Sequence, residues 1–170
     1  MRRLVLFALA AAATAGCGLV HGASSPPPSP FCRAGDPLAG VYHPDRLRVK
    51  QHCALVSGVV TGVKFEPFDG DVHVDLRPDA GDEHLLSDGN AKIGGNLIAE
   101  IIPQDRAAVA VPVVGAHVSV VGPYVDDTTH DWREVHPVWW VSSGRIVPAS
   151  ATELARVHHL LGFAEPAGGE

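Results

Sequence analysis

The stretch Leu55–Arg77, LVSGVVTGVKFEPFDGDVHVDLR, decides the fold. From Asp71 onward apolar and polar residues alternate without a break: Val72, Val74 and Leu76 share one face, and Asp71, His73, Asp75 and Arg77 the other. That is the period of a strand buried on one side. Asp69-Gly70 just before it is a hairpin signal, since glycine accepts the positive φ of a tight turn. LVSGVVTGVKF then reads as the partner strand, in which Gly58 and Gly62 permit the sharp coiling of a small barrel.

Working outward, NLIAEII (Asn96–Ile102) reads as a third strand, AHVSVVGPYV (Ala116–Val125) as a fourth and HPVWWVSSGRIV (His136–Val147) as a fifth. PQDRAAVAVPVVG is a loop or short helix between the third and the fourth. Five short strands, with the longest interruption after the third, predict an all-β fold: a small five-stranded OB-like barrel over residues 55–148. A small sandwich is the competing solution. Residues 149–162 predict a C-terminal helix, with Ser150 and Glu153 as a capping box, Leu154, Val157, Leu160 and Leu161 on one face, and Gly162 at its end. Its expected place is over an open end or side of the sheet. Residues 163–170 read as a flexible tail.

Upstream, residues 1–16 read as a signal peptide: Arg2 and Arg3 precede an apolar run from Leu4 to Ala15 that is too short to serve well as a membrane span. Cys17 follows Thr14-Ala15-Gly16 and resembles the lipid-modified cysteine of a bacterial lipobox. Residues 17–30 then form a tether whose SSPPPSP segment favours extended polyproline structure. Cleavage between Val20 and Ala23, with plain secretion, is the alternative. Three cysteines suit an oxidising compartment only if one has another fate. With lipid on Cys17, Cys32 and Cys53 close a loop of about 20 residues, stabilising by roughly 3 kcal/mol; two free buried thiols are the bland alternative. Residues 31–54 are expected to be an irregular segment tied down by that disulfide. The localisation expected is export, as a membrane-anchored lipoprotein or a secreted or periplasmic protein.

The 170 residues carry 13 Lys and Arg against 19 Asp and Glu, a formal net charge of −6. Loss of Arg2 and Arg3 with the leader makes it −8. Such a chain repels phosphate backbones, and no basic stripe with interleaved aromatics is visible, which speaks against nucleic acid as a partner.

The order of DGDVHVDL (Asp69–Leu76), LIAEIIP (Leu97–Pro103), the glycine-bounded run Gly115–Gly122 and HDWREVHPV (His130–Val138) resembles a family of small exported bacterial OB-fold-like domains of uncharacterised function. The resemblance covers about residues 55–142. It marks Asp71, His73, Glu100, His130, Glu134 and His136, and it implies a shared polar arrangement with no known reaction.

Taken for their chemistry, Asp71, His73 and Asp75 sit two apart on a strand, near enough for neighbours to grip one ion such as zinc, with His130 or His136 completing the set. An open position on that ion would activate water, and a metal-dependent hydrolase of phosphoesterase type is therefore the alternative function. Without metal, Glu134 could orient His136 as a base, but no G-x-S-x-G elbow or free thiol supplies a nucleophile. The leading expectation is a non-catalytic binding or interaction module at the cell envelope, without a cofactor. It is expected to sit at the membrane through the anchor and to meet an envelope ligand or protein through His73, Asp126, Asp127, His130, Trp132 and Trp139. Of the adjacent Trp139 and Trp140, one should face the core. The competing structural reading has His73, Glu134 and His136 bonding one another at a strand crossing.

Overall fold

The computed structural model describes residues 29–162. The expected signal peptide, Cys17, most of the expected proline-rich tether and the expected tail lie outside the described residues. Six strands form one sheet: β1 (Leu47–Phe65), β2 (Val72–Pro78), β3 (Leu97–Ile101), β4 (His117–Asp127), β5 (Trp132–Val135) and β6 (Trp140–Val141). The order is β1-β2-β3-β5-β4-β6, and β4 also pairs with β1, so five strands close into a ring. Only β3 and β5 run parallel. The fold is the OB-like barrel that the strand pattern predicts.

Closure depends on β1. Its residues Gly58–Phe65 pair with β2, and Leu47–Val59 pair with β4. The register slips between Val60 and Gly62, between Val49 and Gln51, and between Gln51 and Ala54. Extra residues at such points bend a strand and increase its twist. At the bend the strands pass so close that a side chain on Gly58 would run into the Arg77 carbonyl, and one on Gly62 into Asp75.

Alternation then sorts the side chains. Val56, Val60, Val72, Val74, Leu76, Leu97, Ala99, Ile101, Val118, Val120 and Val135 fill the interior. A smaller apolar cluster of Val41, Leu47, Ile102 and Val125, backed by Leu38, lies apart from it. There the segment Phe31–Arg46 straps the barrel, tied to β1 by the Cys32–Cys53 disulfide.

Three expectations are corrected. First, the segment 31–54 is irregular only as far as Arg46, because β1 starts at Leu47. Its first turn-side residues, Arg48–His52, are exposed and carry no one-sided hydrophobic pattern to read. Second, the fifth strand is Trp132–Val135, and within HPVWWVSSGRIV only Trp140–Val141 is strand. Pro137 has no N–H for a ladder, and the chain crosses instead, with Val138 N donating to the Glu100 carbonyl and Trp139 N to that of Val121. Third, the longest interruption follows β2, over residues 79–96, rather than β3. The 3-10 turns Glu83–Leu85 and Asp88–Ile93 fill it, the second capped reciprocally by Ser87 and Asn90.

The C-terminal helix α1 (Ala151–Leu160) has the predicted capping box: Ser150 N donates to Glu153 Oε2 (2.7 Å) and Glu153 N to Ser150 Oγ (3.2 Å). Arg106, 3% exposed, fastens it to the barrel. Its Nη1 donates to Glu153 Oε1 (2.9 Å) and, at 3.4 Å, to the Gly70 carbonyl of the β1–β2 hairpin.

Candidate functional site

The alternation that buries Val72 and Val74 turns His73 and Asp75 outward. With Ile98 of β3 they floor an open concavity of about 430 Å³. The β1–β2 hairpin adds Lys64, Glu66, Phe68 and Asp69, the end of the strap adds Arg46, and the β4–β5 turn adds His130 and Trp132. The His130 and Trp132 rings stack, 4.5 Å between centroids and 14° between planes. Phe68 is 62% exposed and also lines the concavity, its ring tilted against Tyr42 at 5.8 Å between centroids. Cations and carboxylates interleave: Lys64 Nζ lies 2.6 Å from Glu66, and Arg46 Nε 3.2 Å from Asp127.

Beneath His73 the polar chemistry continues inward. His73 Nε2 lies 2.7 Å from Glu100 Oε1, and Glu100 Oε2 lies 2.9 Å from His136 Nδ1. That Nδ1 donates to Glu134 Oε1 (3.1 Å), whose Oε2 accepts from the Trp132 indole (2.9 Å). On the other side of the ring, His136 Nε2 is 3.4 Å from Asp71 Oδ2. Asp71, Glu100, Glu134 and His136 are all buried, at 3% exposure or less.

Three acids around one imidazole displace one another's proton equilibria. Burial alone would lower His136, but Glu100 and its other acidic neighbours outweigh it and hold the ring well above its usual range. Burial would raise Glu100, yet His136 and then His73 hold it well below the carboxylate range. Burial raises Asp71 to about 7 against the pull of His136, and burial with the Glu100 charge raises Glu134. His73 rises to about 9, because Glu100 above all outweighs the lowering by burial. The side chain that faces the groove is therefore a cation at neutral pH.

Of the residues expected to bind, His73, His130 and Trp132 meet at this groove. Asp126 and Asp127 line a neighbouring concavity of about 370 Å³, which shares Trp132. There Asp126 pairs with Arg133 (3.1 Å) and Lys50 (3.2 Å). Trp139 is elsewhere: it is buried, near His52 and under the Arg33 guanidinium, and it lines neither concavity. Trp140 stacks on Phe31 of the strap.

Of the alternative metal set, Asp71 and His136 meet, while His73 stands one carboxylate away and Asp75 and His130 line the groove above. Glu134 and His136, the alternative acid-base pair, are bonded but buried. Sequence reasoning gave Glu100 only a supporting part, although it joins the two histidines. The signal was an acid inside an otherwise apolar strand, LIAEI, which must find partners if it is buried. Arg46, Lys64, Glu66 and Phe68 carried no local signal.

No family model matches this chain, and no curated protein matches it either.

Proposed function

We propose that this protein is an exported binding module, held at the cell envelope through a lipid on Cys17, whose groove over β2 and β3 takes a neutral, hydroxyl-rich ligand such as a saccharide. The carrying observation is the make-up of the groove. Arg46, Lys64 and His73 are matched there by Glu66, Asp69 and Asp75, with Phe68 and Trp132 as aromatic walls. Interleaved donors and acceptors suit hydroxyls better than a net charge, and aromatic faces pack on sugar rings. Barrels of this type commonly bind ligands over strands two and three, the strands that floor this groove. The Cys32–Cys53 disulfide fits an oxidising compartment.

The test is calorimetry of the purified chain against neutral envelope oligosaccharides, beside Phe68→Ala and Asp75→Asn. Binding weakened about tenfold or more by either substitution is expected, on the scale of one buried contact or hydrogen bond. If no saccharide binds at millimolar concentration, or both variants bind like the wild type, the reading fails. Metabolic labelling with a palmitate analogue, lost on Cys17→Ser, tests the anchor. Hydrolysis has less support, because the closest Asp/Glu/His group among the described residues is buried rather than open to a substrate.

A further inference from the structure

The buried cluster is not a saturated hydrogen-bond network. Each of its two central residues has one side-chain atom held from outside and one with no hydrogen bond. Glu100 Oε1 is engaged by His73 Nε2, while Glu100 Oε2 has no hydrogen-bond partner. His136 Nδ1 donates to Glu134, while His136 Nε2 has none. Both atoms have a charged neighbour, Oε2 at 2.9 Å from His136 Nδ1 and Nε2 at 3.4 Å from Asp71 Oδ2, but neither contact has hydrogen-bond geometry. Buried polar atoms left in this way are rare, and an ion is one of the few explanations they admit.

One oxygen or nitrogen from each of Asp71, Glu100 and His136 falls within 4.8 Å of the other two. We propose that these three side chains bind a divalent transition ion of the zinc or manganese class. One imidazole and two carboxylates are a donor set for those metals rather than for copper(I), which prefers sulfur, or for calcium, which takes more oxygens. The surroundings are those a metal site needs. A ligating histidine ordinarily gives its second ring N–H to a carboxylate, as His136 does to Glu134, and a ligating carboxylate is itself held, as Glu100 is by His73. Trp132 in turn holds Glu134.

Formal charge agrees. A dication with Asp71 and Glu100 ionised and His136 neutral is balanced, and Glu134 balances a protonated His73. Without the ion, the buried carboxylates of Asp71, Glu100 and Glu134 have only His136 and, from the groove side, His73 as counter-charges. The three ligands come from the residue just before β2, from β3 and from the residue just after β5. An ion there would pin three strands of the ring at one point. Its burial makes the role structural and its exchange slow. This site lies beneath the saccharide groove and is braced by two of its lining residues, His73 and Trp132, but none of its three ligands lines the groove, so either proposal can fail without the other.

The experiment takes the full chain, exported by its own leader and purified without chelator. Elemental analysis is expected to find one zinc or manganese per chain. After chelator treatment, added Co²⁺ is expected to give d–d absorption with one equivalent, and added Zn²⁺ to raise Tm. Asp71→Asn and Glu100→Gln keep shape and are expected to lose the ion at least about tenfold in affinity; His73→Ala, which removes only the outer support, should lose about 10- to 100-fold. Asp88→Asn, at an exposed acid that lines neither concavity, is the control and should bind as the wild type does. Should the substituted chains fail to fold, X-ray absorption on the wild-type zinc form decides: one imidazole with oxygen neighbours supports the site, and no imidazole overturns it. No stoichiometric ion in the isolated protein, with no Tm response to Zn²⁺, Mn²⁺ or Co²⁺, also overturns it, as does retention of the ion by both Asp71→Asn and Glu100→Gln.

Discussion

Two buried carboxylates on the same barrel are treated in opposite ways. Asp127, 1% exposed, receives the Thr129 N–H (2.7 Å), the His130 N–H (3.0 Å) and His130 Nδ1 (2.8 Å), with Arg46 Nε at 3.2 Å. Most of those donors belong to the turn that Asp127 itself begins, and they hold its carboxyl below the usual range against the opposing effect of burial. Glu100, 2% exposed, has no backbone donor at its carboxylate; its partners are side chains from β2 and from just after β5, and two further acids compete for them. A charge settled by its own loop is a fastener. A charge settled by distant side chains, with an atom to spare, leaves room for another occupant.

The sharpest way to break the comparison is Asp127→Ala. It leaves two backbone donors of the turn without an acceptor and Arg46 without its acid, so urea denaturation should show a loss of about 3 kcal/mol or more, on the scale of two hydrogen bonds to a charged group at about 1.5–3 kcal/mol each. A loss under about 1 kcal/mol would mean that the turn stands without its acid. Glu100→Gln should cost less in chelated protein, roughly 1–3 kcal/mol, since Asp71, Glu134 and Glu66 remain to face the two histidines. If it costs more than Asp127→Ala, Glu100 is the fastener and the contrast is inverted.

Glu153 gives the smallest effect and a pH signature. Its carboxyl lies near 2, lowered first by the Ser150 backbone donor of the capping box and then by Arg106. A lowered carboxylate contributes fully above its unfolded value and loses that contribution as pH falls through the folded one. Glu153→Gln should therefore lower stability by about 0.5–1 kcal/mol at pH 7, a value typical of caps, and the gap to wild type should narrow from pH 4.5 to pH 2. Thermal melts of both proteins across that range would show it; a gap that widens on acidification would contradict the assignment.

How legible all this was follows the range of the interactions involved. Period-two alternation in DVHVDLR and the capping box at Ser150 are local, and both read directly. Asp127 with Thr129 is also local, at the point where β4 ends and the turn begins. What escaped the sequence was set by contacts far along the chain. β1 begins at Leu47 because β4 waits beside it, not because Arg48–His52 look like a strand. Likewise β5 is Trp132–Val135 because it closes on β3 and β4. The candidate site shows the same division: His73, His130 and Trp132 stood out by type, whereas the place of Glu100 between two histidines depends on the sheet order. Trp139 looked like its neighbours in composition and lies on another side of the barrel.

The length of β1 also constrains how the chain acquires its fold. Its Leu47–Val59 half must find a partner in His117–Asp127, and β3 must find β5, before the ring has no open edge. The pairings that close the ring, β1 with β4 and β3 with β5, join residues distant in sequence, so their loop-closure entropy comes before the reward. Barrels with such contacts fold in milliseconds to seconds rather than microseconds. Until then an edge of β1 lies bare, and the exposed charges at Arg48 and Lys50 are placed where they would discourage another chain from pairing there.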